Sequence, residues 1–160
     1  MNLKFRKGFT LIEVLIVVAI IGILASVVLV GLGPLQRQGR DARRISDLKQ
    51  VQAGLELYYN KCGYYPGNAE NGATCAGYAA NNTWAGLVTA LTGSNIGVSN
   101  VPHDPNAARD YFYEANGTSY VIGATLDDPQ NTSLRNDIDN ANRPAGFSIN
   151  CDDPVYCVAL

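Results

Sequence analysis

The residue least expected in its surroundings is Glu13, a single carboxylate inside a long apolar run. Between Phe9 and Gly33 the other polar side chains are Thr10 and Ser26. On membrane-insertion scales a carboxylate costs about 2.5–3.5 kcal/mol at mid-bilayer, so Glu13 needs a shallow position or a positively charged partner. The chemistry to expect at Glu13 is therefore charge pairing in a water-poor environment.

A second group of oxygen ligands is concentrated in one segment of the C-terminal half. The candidates are Asp127, Asp128, Asn131, Asp137 and Asp139. Carboxylate and amide oxygens are the ligands that calcium prefers. The segment lacks the ligand order and the glycine of an EF-hand loop, so a solvated acidic loop is the favoured interpretation and a calcium site the alternative. We expect no other cofactor.

Four cysteines follow the apolar run, and they predict disulfides. An even number of cysteines in an exported segment is typical of two disulfides, for which three connectivities exist. We favour Cys62–Cys75 and Cys151–Cys157, because local pairs close short loops without long-range geometry. Neither pair has the spacing of a metal-binding Cys-x-x-Cys knuckle, and the sole histidine, His103, is distant in sequence.

The apolar run itself has the length of a membrane anchor. Residues 9–33 would span about 37 Å as a helix, which exceeds the roughly 30 Å hydrocarbon core of a bilayer. Lys4, Arg6 and Lys7 precede it and predict a cytoplasmic N-terminus. The run is longer than the apolar part of a signal peptide, and Ala25-Ser26-Val27 is a poor signal-peptidase site. We therefore expect a single-pass protein whose C-terminal part lies outside the cytoplasm.

Residues 34–61 are predicted to continue this helix in amphipathic form. Apolar side chains recur every three or four residues at Ile45, Leu48, Val51, Leu55 and Tyr58. Gly63 and Pro66 should end the helix. The other faces carry a basic collar, which we define as Arg37, Arg40, Arg43 and Arg44. We expect the collar to be a solvated face, or alternatively to contact the acidic surface of a neighbouring subunit.

Residues 62–160 are predicted to form a small globular head. Residues 83–91 have the pattern of a short helix capped by Thr83. Residues 110–126 have the pattern of a β-hairpin, with a type I′ turn at Asn116-Gly117, and residues 146–150 suggest a third strand. The predicted fold is α+β, with a long N-terminal helix packed on a small antiparallel sheet and a disulfide-stabilised head.

Residues 8–25 resemble the N-terminal segment of type IV pilins and type II secretion pseudopilins. The similarity consists of a basic leader ending in Gly8, then Phe9-Thr10-Leu11-Ile12-Glu13 and apolar residues to Ala25. The resemblance implies a leader at residues 1–8 that prepilin peptidase removes between Gly8 and Phe9. It also implies N-methylation of Phe9 and pairing of its amine with Glu13 of a neighbouring subunit.

The function implied by the resemblance is structural. The chain would wait in the cytoplasmic membrane and then enter an extracytoplasmic fibre of identical subunits, with pilus or secretion assembly machinery as partner. The alternatives are a minor pilin or tip adhesin, or another membrane-tethered binding protein. We expect no enzyme, because no catalytic triad, metal cluster or phosphate loop is evident. From Cys62 onward ten acidic residues outnumber three arginines, which argues against nucleic acid as the main partner.

Overall fold

The computed structural model describes residues 8–67, 75 and 82–160, with the side chains at 27 and 29–31 excepted. The elements in chain order are α1 (Leu11–Cys62), α2 (Trp84–Gly93), β1 (Phe112–Ala115), β2 (Tyr120–Thr125), a 3₁₀ turn (Thr132–Arg135) and β3 (Val155–Ala159). The chain divides into two compact units, Met1–Gln36 and Arg37–Leu160. The leader cations Lys4, Arg6 and Lys7 lie outside the described residues, as do 68–74 and 76–81. The predicted α+β fold is confirmed.

Within the first unit, α1 begins at Leu11 and continues through Pro34 into the second unit. The large apolar side chains described here are exposed, from Phe9 at 89% to Leu32 at 40%. In the described part of the chain, no helix combines the length and the apolarity that a membrane crossing requires.

Within the second unit, the C-terminal part of α1 contributes one apolar face to the core. Leu48, Val51, Leu55 and Tyr58 are at most 2% exposed, whereas Ile45 is half-buried. The helix ends as predicted at Gly63, which has φ +79° and donates its N–H to the Tyr59 carbonyl oxygen at 2.7 Å. This left-handed conformation favours glycine and stops the helical hydrogen-bond pattern.

The sheet is antiparallel with strand order β1-β2-β3. The predicted hairpin is confirmed, with Ala115 opposite Tyr120 as the pair next to the turn. The predicted type I′ turn is wrong, because that turn needs positive φ at two consecutive residues and only Gly117, at +92°, has it. The Asn116 side chain instead accepts the N–H groups of Thr118 and Ser119, which stabilises a four-residue loop.

The third strand was predicted in the wrong place. Residues 146–150 form no strand, and the third strand is β3, at Val155–Ala159. The N–H groups of Ser148 and Ile149 donate to the Glu114 carboxylate at 2.7 and 3.1 Å instead of to a neighbouring strand. Phe147 is buried in a small apolar cluster, so its hydrophobicity reflects packing beside the sheet.

Two disulfides fix segments of the second unit. Cys62 at the end of α1 is bonded to Cys75, and Cys151 is bonded to Cys157 in β3, each with Cα atoms 5.6 Å apart. Gly123 in β2 lies opposite Cys157. A Cβ atom at Gly123 would lie 3.0 Å from the Cys157 Sγ atom, so this position of the sheet favours glycine.

Candidate functional site

The first turn of α1 places Glu13 by a reciprocal cap. The Thr10 N–H and hydroxyl both donate to Glu13 Oε2, at 2.8 and 2.7 Å, and the Glu13 N–H donates to Thr10 Oγ1 at 3.4 Å. This is a capping box, in which an N-cap Thr and a Glu three residues later satisfy otherwise unpaired amide groups. We expected only charge pairing of Glu13, although the Thr-x-x-Glu spacing of a capping box is visible in the sequence.

The peptide bond between Gly8 and Phe9 precedes this cap in non-helical, exposed chain. Gly8 and Phe9 are exposed, and a Cβ atom at Gly8 would have no neighbour within 4 Å. Both capping bonds of Glu13 involve Oε2, and no hydrogen bond to Oε1 occurs among the described residues. One carboxylate oxygen therefore remains for a further donor within four residues of the predicted cleavage point.

On both sides of Glu13, the N-terminal part of the chain exposes large apolar side chains. They are Phe9 before the helix and, within α1, Leu11, Ile12, Val14, Leu15, Ile16, Val17, Val18, Ile20, Ile21, Ile23, Leu24, Val28, Leu32 and Leu35. Soluble monomers rarely expose apolar patches of this size, and such patches mark contacts with protein or lipid. The surface therefore requires a partner.

One member of the basic collar, Arg44, is buried, which corrects the prediction of a solvated face at that residue, whereas Arg37 and Arg43 are exposed and Arg40 is partly exposed. Arg44 is 0% exposed and forms two hydrogen bonds to the Asp104 carboxylate, at 2.8 and 3.0 Å, and one to Asp41 at 2.8 Å. The hydrogen bonds that Arg44 donates to the Asp104 carboxylate raise the pKa of Arg44 further above its ordinary value. Asp41 in turn accepts the backbone N–H groups of Asp127 and Asp128. Arg44 and Asp41 thus connect α1 to two loops.

Asp127, a calcium candidate from the sequence, belongs to this same network. Its carboxylate lies 2.6 Å from Arg40, 3.2 Å from Arg44 and 2.9 Å from Arg109. Burial alone would raise the pKa of Asp127, but the hydrogen bonds from Arg40 and Arg44 outweigh it and hold the pKa below its ordinary value. Three arginines therefore occupy the oxygens that a cation would need.

Asp137 and Asp139 lie together, and Asp153 joins them. One oxygen from each of the three carboxylates lies within 4.8 Å of the others. Asp137 Oδ2 accepts the Cys157 N–H at 2.9 Å, while Asp137 Oδ1 is buried without a hydrogen-bond partner. Burial raises the pKa of Asp137, and the charges of Asp139 and Asp153 raise it further. This donor set fits a hard cation such as calcium.

The remaining two calcium candidates from the sequence stabilise local turns. Asp128 Oδ1 accepts the Gln130 N–H at 3.0 Å. Asn131 Oδ1 accepts the Ser133 N–H at 3.0 Å and caps the 3₁₀ turn. Asp153 was missed because it lies 14 residues beyond Asp139, although it directly precedes the strand-like sequence of β3.

Comparison with known proteins finds similarity to secretion proteins. The family model described as the prokaryotic N-terminal methylation motif matches residues 3–29. The type II secretion system core protein G of Escherichia coli K12 is 33% identical over 61 residues, which are 38% of this chain and 42% of that protein. Its counterpart in Aeromonas hydrophila is 33% identical over 66 residues, or 41% of this chain and 46% of the relative.

The protein of the same name from Pectobacterium carotovorum is 31% identical over 61 residues, covering 38% of this chain and 39% of the relative. The chain thus spans less than half the length of the curated relatives it matches. No solved structure matches the chain significantly. The motif and the three relatives show that the chain is similar to type II secretion core proteins over about two fifths of its length.

Proposed function

We propose that the chain is cut between Gly8 and Phe9 and then polymerises through its N-terminal helix into a type II secretion pseudopilus. One observation carries this proposal: α1 exposes a long apolar surface with a single carboxylate, Glu13, in its first turn. Such a surface is covered when identical helices bundle at the centre of a fibre. The relatives named as secretion core proteins favour the pseudopilus over a surface pilus.

Before assembly, the same apolar surface would be covered by lipid. No helix in the described part of the chain meets the requirements of a membrane span, but the side chains at 27 and 29–31 lie outside that part. The apolar composition of the full run of residues 9–33 supports a single-pass anchor in the cytoplasmic membrane. The basic leader favours an N-terminus in the cytoplasm, so the disulfide-bonded second unit would lie outside it. After assembly the protein would be part of an extracytoplasmic fibre.

The role proposed for Glu13 is to pair with the amine of Phe9 on a neighbouring subunit. Cleavage creates that amine, and a bundle of apolar helices would remove it and Glu13 from water. Leaving either charge buried and unpaired costs several kcal/mol, so assembly is favoured when the two charges meet. The capping bonds to Oε2 fix the carboxylate, and Oε1 remains for the incoming amine.

The proposed partners follow from this sequence of steps. Prepilin peptidase would remove residues 1–8 and N-methylate Phe9. Secretion assembly machinery would then transfer the subunit from the membrane to the fibre, where it contacts further copies of itself. The exposed, non-helical Gly8–Phe9 bond is accessible to a peptidase, which supports the first of these steps.

Three single variants separate the charge of Glu13 from its capping role. Glu13→Gln keeps a side chain that can complete a capping box but has no charge, so cleavage should continue and fibre formation should be lost. Glu13→Ala removes both functions and should have the same phenotype. Thr10→Ala removes the cap but keeps the charge, so fibres should form. Cleavage is measured by the mobility shift of the chain, and fibres by electron microscopy after shearing.

The pattern across the three variants decides the proposal. Normal fibres from Glu13→Gln would refute charge pairing, whatever Glu13→Ala does. Loss of fibres from Thr10→Ala together with normal fibres from Glu13→Gln would assign Glu13 a capping role alone. A block of cleavage in Glu13→Gln would show that the carboxylate acts before assembly.

A further inference from the structure

An open polar cleft lies on the second unit, where α1 meets the loop before β1. Its volume is about 520 Å³. The lining includes Arg37, Arg40 and Arg109 together with Asn106 and Asp127. We call it the arginine cleft. Its size lies within the range typical of small-ligand sites.

The arginine cleft has one positive charge more than its neighbours neutralise. Arg40 and Arg109 both form ion pairs with Asp127, and the buried Arg44 behind them pairs with Asp41 and Asp104. Arg37 is exposed, and among the described residues it has no carboxylate partner. The four arginines carry one charge more than the three aspartates neutralise. The unbalanced positive charge is that of the exposed Arg37.

The paired arginines keep donors available. Arg40 bonds Asp127 through Nε, and Arg109 bonds it through Nη1. Among the described residues, no other side-chain hydrogen bond is formed by either guanidinium. Arg37, Arg40 and Arg109 thus keep N–H groups without a partner among the described residues, and all three line one cleft, in which Asp127 is bound by Arg40 and Arg109.

We propose that the arginine cleft binds a phosphate group with a single negative charge. Guanidinium forks match the tetrahedral oxygens of phosphate and bind them with charge-assisted hydrogen bonds. One negative charge balances the single excess positive charge. A second copy of the chain would offer the cluster of Asp137, Asp139 and Asp153, whose oxygens lie within 4.8 Å of one another. Its three carboxylates match the single excess positive charge less well than one phosphate group does.

The phosphate can come from a phospholipid headgroup or from solution. Arg37 follows the apolar run of residues 9–33 by four positions in the sequence, so a phospholipid headgroup is the source expected if that run lies in a bilayer. The assignment to lipid rests on the proposed membrane anchoring, whereas phosphate binding in the cleft does not.

The test uses the full chain in an uncharged detergent and three probes: inorganic phosphate, short-chain phosphatidylglycerol and short-chain phosphatidylcholine. Binding is measured by calorimetry and by the NMR signals of the arginine Nε–H groups. We expect phosphate and phosphatidylglycerol to bind and Arg37→Gln to weaken both by about fivefold, the upper range for an exposed ion pair. Arg135→Gln removes the same charge from an exposed position outside the cleft and should change neither affinity.

Equal affinities in Arg37→Gln and Arg135→Gln would overturn the site. So would self-association in sedimentation experiments that depends on Arg37 and is unaffected by phosphate, since the cleft would then bind a second copy of the chain. Binding of phosphate without binding of either phospholipid would support the site and reject the lipid source. Glu13→Gln should bind phosphate normally, so failure of the polymerisation proposal remains distinguishable.

Discussion

At the scale of single residues, Arg44 has the strongest structural role of the basic collar. Its guanidinium is buried between Asp41 and Asp104, and Asp41 accepts two backbone N–H groups from the segment after β2. Removing one partner of a buried ion pair leaves an uncompensated charge in a region of low polarity. The sequence placed Arg44 among solvated residues because its partner Asp104 is 60 residues away.

We predict that Arg44→Met lowers the free energy of unfolding of the second unit by about 3–5 kcal/mol, because two buried carboxylates lose their shared partner. Arg43→Met is the matched control, since the Arg43 side chain is 62% exposed and lies 3.8 Å from Asp47. It should change stability by less than about 1 kcal/mol. Urea denaturation followed by tyrosine and tryptophan fluorescence measures both, and equal effects would contradict the assigned role of Arg44.

Asp127 makes the same network sensitive to acid. Because its pKa is held below the ordinary value of 3.8, its contribution is complete above that pH and is lost as the pH falls through the folded-state pKa. The stability difference between the wild type and Asp127→Asn should therefore be constant near neutral pH and shrink on acidification below about pH 4. Urea titrations at several pH values measure this difference, and a gap that widened in acid would reverse the inferred sign.

At the scale of elements, local sequence patterns predicted the helix ends and the hairpin but not the third strand. The end of α1 at Gly63, the cap of α2 by Thr83 and the two hairpin strands all follow from local patterns. The position of β3 does not, because Phe147 and Ile149 alternate as strand residues do. Their segment is instead held by side-chain bonds to Glu114, which is 34 and 35 residues away for the two donors. Non-local hydrogen bonds of this kind have no local sequence signal.

The contact between β2 and β3 gives a prediction at this scale. Gly123→Ala should destabilise the second unit by about 1–3 kcal/mol, because the new Cβ atom meets Cys157 Sγ at 3.0 Å and the Tyr156 carbonyl at 3.3 Å. In Gly39→Ala the new Cβ atom on α1 has no neighbour within 4 Å. This variant should therefore stabilise the helix by about 0.5–1 kcal/mol. Thermal unfolding of the two variants should shift the midpoint in opposite directions, and a stabilising Gly123→Ala would contradict the sheet packing.

At the scale of the whole molecule, the chain separates apolar and polar functions between its two units. Met1–Gln36 contains the exposed apolar surface, whereas Arg37–Leu160 contains the buried core, both disulfides and the described ion pairs. Composition and periodicity were insufficient to predict the candidate sites, because the arginine cleft and the Asp153 cluster depend on residues that only the folded chain brings together.

The reciprocal cap of Thr10 and Glu13 also bears on how the chain would mature. The first helical backbone hydrogen bond runs from the Val14 N–H to the Thr10 carbonyl at 3.3 Å, downstream of the Gly8–Phe9 bond. Hydrolysis of that bond would break no hydrogen bond of the helix or of its cap. Processing would then be a change of charge at constant conformation: Lys4, Arg6 and Lys7 leave with the leader, and one amine appears at a helix end that is already folded.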